Sequence, residues 1–163
     1  MKQLRAIGRY FTVGEWLLWG ISAAVIVASF CLFDRESYLT LAASLIGVTS
    51  LIFAAKGNPI SQVLMVVFSI LYGIISYTFA YYGEMITYLG MTMPMAVYLT
   101  FRRSPYYALA YAANDAVLIV LWIMAAVYEV RYISVAVCFI AFLVNDLYGF
   151  ISWRRMARRQ RIA

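Results

Sequence analysis

The sequence predicts an all-α membrane protein, a repeat-built, transporter-like bundle of about six transmembrane helices. Three observations predict it. The 163 residues are 66% apolar and only 12% charged, where a soluble domain is nearer half apolar and a quarter charged. The apolar residues fall in runs long enough to cross a bilayer, separated by very short polar turns. A motif also recurs inside two of those runs. SILYGIISY, Ser69 to Tyr77, and LVNDLYGFISW, Leu143 to Trp153, share Leu-Tyr-Gly-x-Ile-Ser followed by an aromatic residue. A duplicated motif within hydrophobic spans is a common plan of small repeat-built membrane proteins.

The elements follow from local chemistry. Residues 1–11 form a short basic lead with Lys2, Arg5 and Arg9. Glu15 and the lack of a small-residue cleavage site argue against a removed signal peptide. Thr12 with Glu15 three residues on reads as a capping box for a first span over about Trp16 to Phe33. Asp34 to Ser37 is a turn, with Ser37 capping a second span, Tyr38 to Ala55. In Lys56-Gly57-Asn58-Pro59, Gly57 ends one helix, Asn58 caps the next and Pro59 suits its first turn. The third span, Ile60 to Ala80, holds the first motif copy, and Tyr81-Tyr82-Gly83 turns the chain. The fourth, Glu84 to Phe101, carries Pro94 at its centre, where a kink is expected. Glu84 itself reads as an acid favoured by the helix dipole at that span's start. Ser104 and Pro105 open the fifth span, Tyr106 to Tyr128, and Glu129 to Arg131 is a short turn. The sixth span runs from about Tyr132 and ends at Trp153, before a basic tail, 154–163.

The whole chain thus reads as one membrane domain, with both termini cytoplasmic. The basic lead, the Lys56 turn, the Arg102-Arg103 turn and the tail hold eleven of the thirteen Lys and Arg residues; the alternate turns hold only Arg35 and Arg131. The positive-inside rule sets that orientation. The expected location is the plasma membrane, multi-pass, with the lipid bilayer as partner, and the basic tail can also meet anionic lipid.

Several classes are excluded. There is no His, hence no imidazole metal site. There is no nucleotide-binding GxxxxGK[ST] loop, no metal-ligand cluster and no nucleophile–base pair, so no enzyme, cofactor or nucleic-acid partner is implied. Cys31 and Cys138 fall in apolar spans and read as packing residues rather than a disulfide.

What remains is a set of polar groups at membrane depth, which are costly and mark a site. Asp115 lies about 15 Å and Asp146 about 10 Å from the nearer helix end, at 1.5 Å per residue. Asn114 and Asn145 are their neighbours. Adjacent positions on a helix point about 100° apart, so not all four face one cavity. Asn114 and Asn145 are expected to face it, each Asp contacting a helix neighbour. The alternative for all four is interhelical hydrogen bonding. Tyr72 and Tyr148 are the aromatic centres of the two motif copies, and Trp122 lies eight residues after Asn114 on roughly the same face. Aromatic faces with amides suit a planar heterocycle carrying a sugar. The 17% aromatic content fits rings that line something, or else lipid-facing and interhelical packing.

The segment KGNPISQVLMVVFSILYGIISYTFAYYGEMITYLGMTMPM resembles the PnuC-type nicotinamide riboside transporters. Lys56-Gly57, Leu71-Tyr72, Tyr82-Gly83-Glu84 and Met93-Pro94-Met95 occur in that family's order. SPYYALAYAANDAVLIVLW and LVNDLYGFISW are similar to its last two helices, with Asn114, Leu121-Trp122, Asn145, Tyr148 and Trp153 on characteristic positions. The resemblance implies two three-helix units joined by a linking helix, with substrate between them. It also implies facilitated diffusion of a ribosylated vitamin, most naturally nicotinamide riboside, and a homo-oligomer as a partner state. Taking the polar groups at membrane depth and this resemblance together, the substrate-binding candidates are Asn114, Asn145, Tyr148, Trp122, Tyr72, Asp115 and Asp146. The chain departs from the plan after Ala96: Val97 to Arg103 resembles the end of a later helix, as if about two helices of a central segment were absent. Ala96 replaces a frequent Gln, and Tyr107 and Ala110 replace Trp. Competing expectations are therefore an internally shortened member without transport activity, or a small channel or partner subunit.

Overall fold

The structure, a computed structural model, describes residues 10–78, 93–102 and 104–162. Its elements are α1 (Val13–Phe33), α2 (Tyr38–Ala55), α3 (Ile60–Thr78), α4 (Met93–Phe101), α5 (Tyr106–Ala126), a 3-10 turn (Val130–Tyr132) and α6 (Ile133–Ile162). There is no strand among the described residues. The all-α membrane bundle is borne out. Five of these helical stretches are long and apolar enough to cross a membrane: α1, α2, α3, α5 and the stretch containing α6. The predicted fourth span falls largely outside the described residues, as do the Tyr81-Tyr82-Gly83 turn and Glu84. α4 is its last part, and the Ala96–Val97 junction lies within that helix. Pro94 is the second residue of α4, and the expected kink concerns residues on its N-terminal side that lie outside the described ones.

The boundaries follow the capping chemistry. Glu15 N donates to Thr12 Oγ1 (3.3 Å) while Thr12 N donates to Glu15 Oε2 (2.7 Å), the reciprocal box that starts α1. Ser37 Oγ accepts from Thr40 N at the start of α2. Gly57 sits at φ +68°, a backbone region open to Gly without a steric penalty. Its N–H donates to Ala54 O (2.8 Å) and closes α2. Asn58 Oδ1 accepts from Ile60 N (2.9 Å) to open α3. Ser104 serves α5 from one position further out than expected, accepting from Tyr106 N at 3.4 Å.

One boundary is corrected. The last helix does not stop at Trp153; α6 continues through the basic residues to Ile162. The apolar pattern ends where the hydrocarbon ends, but Arg, Met, Ala and Gln are good helix formers. With no Gly or Pro to break it, the helix runs on.

α6 is the central element. It packs against α5, α2 and α1, while α3 packs on α2 and α4 on α5. The core holds Val48, Tyr107, Ala108, Trp122 and Phe139, all essentially inaccessible. Phe68 stacks on Tyr72 (centroids 5.6 Å apart), and Phe139 and Phe142 meet them edge-on at 5.4 and 5.3 Å. This arrangement suits the aromatic quadrupole, so these rings serve interhelical packing. Cys138 is buried and Cys31 exposed, both as free thiols.

Candidate functional site

The polar residues of the bundle fall into three groups, set at successive levels of α6. At one end of the membrane span Glu15, only 3% exposed, pairs with Lys56 Nζ at 2.8 Å. Its other oxygen accepts from Tyr148 Oη at 3.0 Å. One carboxylate therefore ties together the start of α1, the α2–α3 turn and α6. Beside it, Ser152 Oγ donates to Ala55 O (2.9 Å) and Trp153 Nε1 to Ala54 O (2.8 Å). These carbonyls lie in the last turn of α2, where regular helical donors run out; Ala54 O also accepts from Gly57 N, and α6 adds a donor to each.

One turn further into the membrane, Asn145 (2% exposed) donates to Ser22 Oγ of α1 (2.9 Å) and to Ala141 O (2.8 Å). Its Oδ1 accepts nothing from the described residues. Asp146, 3% exposed, lies within hydrogen-bond reach of Asp115 on α5, 4% exposed. Each carboxyl has the other, from the neighbouring helix, beside it. Asn114 is half-buried on α5.

Deeper still, Trp122 Nε1 donates to Tyr72 Oη at 3.2 Å, with both side chains buried. The structure therefore brings together Asp115 with Asp146 and Tyr72 with Trp122, and gives Asn145 and Tyr148 partners on α1. The two motif tyrosines have different partners because different helices face them. Gly149 allows a close approach of α5: a Cβ there would meet Tyr107 Oη at 3.1 Å and Ala108 Cβ at 3.8 Å.

A cavity of about 640 Å³ opens at the Lys56 end, lined by Lys56, Asn58, Gln62, Thr100, Trp153 and Gln160 among others. A second of similar volume is an apolar groove on the outer face of α5, along Val117, Val120 and Met124. None of the seven candidate residues lines either one. Tyr72 lines a third void of about 10 Å³ beside Phe139, room for no more than about one water. Of the seven, Tyr72, Asp115, Trp122, Asn145 and Asp146 are buried, and Asn114 and Tyr148 are half-buried.

Sequence reasoning missed the roles of Glu15, Lys56 and Ser22. Glu15 was fully explained as a cap, so nothing remained to signal its further partners. The available hint was a second charge, Lys56, at the matching depth of another helix end.

Helices of membrane length around a central polar seam define the class: a polytopic helical membrane protein with buried amides and carboxyls at mid-depth. The sequence profile of the nicotinamide mononucleotide transporter family matches residues 37–102. That stretch spans α2 to α4, while six of the seven candidate residues lie beyond it. The fold also matches the crystal structure of the vitamin B3 transporter PnuC, with a TM-score of 0.77 and 16% identity, over 91% of this chain and 94% of that one. No curated protein matches the chain. The resemblance carried by the motifs is borne out: α2 to α4 match the family profile, and the chain has the fold of PnuC.

Proposed function

We propose that this chain carries a vitamin B3-type nucleoside, nicotinamide riboside, across the plasma membrane. The observation that carries the reading is the likeness to a vitamin B3 transporter along nearly the whole chain, joined by the family match over α2 to α4. Asn114 and Asn145 would hold the polar edge of the substrate, with Tyr72, Trp122 and Tyr148 around its rings. Because Tyr72, Trp122 and Asn145 are buried here, substrate would reach them only when α5 and α6 part. The cavity at the Lys56 end has the volume of a small-molecule site and carries amide and aromatic groups, so it would serve as the vestibule on that side. Both termini would be cytoplasmic by the basic-residue asymmetry, which reporters fused to each end would read directly; an external C-terminus would refute it.

The deciding experiment is uptake of labelled nicotinamide riboside by vesicles holding the purified chain, with unlabelled nicotinamide mononucleotide and riboside as competitors. Saturable uptake that the riboside suppresses is the expected result. Uptake equal to that of empty vesicles would leave the chain as a shortened member without activity or as a partner subunit. Non-saturable flux would indicate a channel.

A further inference from the structure

The cavity at the Lys56 end takes its walls from four elements: Lys56 of the α2–α3 turn, Gln62 of α3, Phe101 of α4, and Trp153 and Met156 of α6. Three of its features are left unused by the fold. The first is an acceptor. Ser61 Oγ donates its one proton to Asn58 O (2.7 Å), so toward Gln62 it can only accept, and Gln62 Nε2 donates to it at 3.4 Å. Gln62 Oε1 is left buried, with no donor among the described residues. The long bond and the soft terminal torsion of the side chain let the amide turn that oxygen to a donor held in the cavity. The second is a ring face: Phe101, on the wall, is 84% exposed. The third is charge. This end carries Lys56, Arg102, Arg154, Arg155, Arg158 and Arg159, and Glu15 is the sole acid there among the described residues. The five arginines are exposed and form no ion pair among those residues. Lys56 gives Glu15 one contact of the three its ammonium can make. Such a field draws anions to the mouth.

We propose that this cavity is a regulatory site for a small phosphorylated nucleoside, whose binding holds α6 against α3 and α4 and slows transport. The phosphate meets the cations at the mouth, the base lies against Phe101, and an amide or amine donor on the base reaches Gln62 Oε1. The phosphorylated form of the proposed substrate carries all three groups; the riboside itself lacks the anion. The volume of about 640 Å³ is that of a small-molecule site. The regulatory effect rests on the transport reading above, while the binding does not. In that reading α5 and α6 part to admit substrate. α4 packs on α5, so a ligand held by both α4 and α6 ties together the elements that must separate. A ligand that fits this conformation alone stabilises it as its concentration rises.

Equilibrium dialysis of labelled nicotinamide mononucleotide against the purified full chain reads the binding. Saturable binding is expected. Gln62→Leu should weaken it about fivefold, the effect of one hydrogen bond. R155Q/R158Q/R159Q, which changes exposed side chains only, should weaken it as well, as should rising salt. Inorganic phosphate should compete only at much higher concentration, because it engages the cations alone. No saturable binding, or binding that either variant leaves unchanged, overturns the proposal. Inorganic phosphate competing as well as the mononucleotide overturns the nucleoside class.

Uptake reads the regulation. Vesicles with the mononucleotide on both faces should take up labelled riboside several-fold more slowly than vesicles without it, and Q62L vesicles should be slowed much less at the same concentration. Equal slowing of the two proteins, or none at a concentration that saturates binding, overturns the regulatory effect and leaves the transport reading intact. If the wild type moves no label at all, the transport reading fails by itself, and amide hydrogen exchange decides the site. Slower exchange over residues 154–162 on adding the mononucleotide upholds a ligand that holds α6. Unchanged exchange there overturns it.

Discussion

The two levels at which α6 is held differ in how completely their polar groups are matched. At the Lys56 end, Tyr148, Ser152 and Trp153 each donate to a partner on α1 or α2, and Glu15 meets a cation, a hydroxyl and a backbone N–H. One turn further in, Asn145 Oδ1 and Asp115 Oδ2 accept nothing from the described residues. Buried polar groups are nearly always satisfied, so under the transport reading proposed above Asn145 Oδ1 is where a substrate's donor would bind.

The comparison can be broken most forcefully at Glu15. Glu15→Ala leaves Lys56, Tyr148 and Thr12 N without their acceptor. Breaking a buried pair from one side costs on the order of 3–5 kcal/mol, and the partial exposure of Lys56 places the expected loss near the lower figure. Thermal unfolding of the detergent-purified protein reads it. A loss below about 0.5 kcal/mol, the range of ordinary surface changes, would show that this end is no clamp.

Asn145→Ala acts on the middle level. It removes the bond to Ser22 Oγ and the orphan Oδ1 together, so the stability loss should be small. Substrate affinity should fall about fivefold, the worth of a hydrogen bond of about 1 kcal/mol. Equilibrium binding of labelled substrate to the purified variant measures it. A large stability loss with unchanged affinity would make Asn145 a structural tie and move the site elsewhere.

The difference between the two motif tyrosines sharpens the contrast. Tyr148→Phe takes one of several donors from Glu15 and should cost about 1 kcal/mol or less of stability. Tyr72→Phe removes the acceptor of the buried Trp122 N–H, and orphaning that donor should cost rather more, about 1–3 kcal/mol. Unfolding curves of the two variants side by side settle the order. Equal losses would mean that the two motif copies play equivalent parts despite their different partners.

Much of the fold was legible because its boundaries are local chemistry. Thr12 with Glu15, Ser37, and Gly57-Asn58-Pro59 each act within four residues, so the ends of α1, α2 and the start of α3 could be read directly. The extension of α6 beyond Trp153 was hidden because hydropathy marks where lipid ends, not where a helix ends. Asn114, Asp115, Asn145 and Asp146 stood out as polar groups within apolar runs. Their partners did not, since the meeting of Asp115 with Asp146, of Asn145 with Ser22 or of Tyr148 with Glu15 depends on which helices pack side by side. A repeated motif told of duplication but not of environment, as the separate settings of Tyr72 and Tyr148 show.

The unbroken length of α6 has a mechanical consequence. Thirty residues make a rod of about 45 Å at 1.5 Å per residue. The bonds of Tyr148, Ser152 and Trp153 grip it about two-thirds of the way along and act as a fulcrum. The inner arm, back to Ile133, is about 22 Å, and the outer arm, from Trp153 to Ile162, about 14 Å by the same rise. When the inner arm swings away from α5, the outer arm with Arg154, Arg155, Arg158 and Arg159 swings the opposite way through roughly two-thirds of the distance. The arginine-bearing end is therefore a pointer, whose position reports whether the inner arm lies against α5 or away from it.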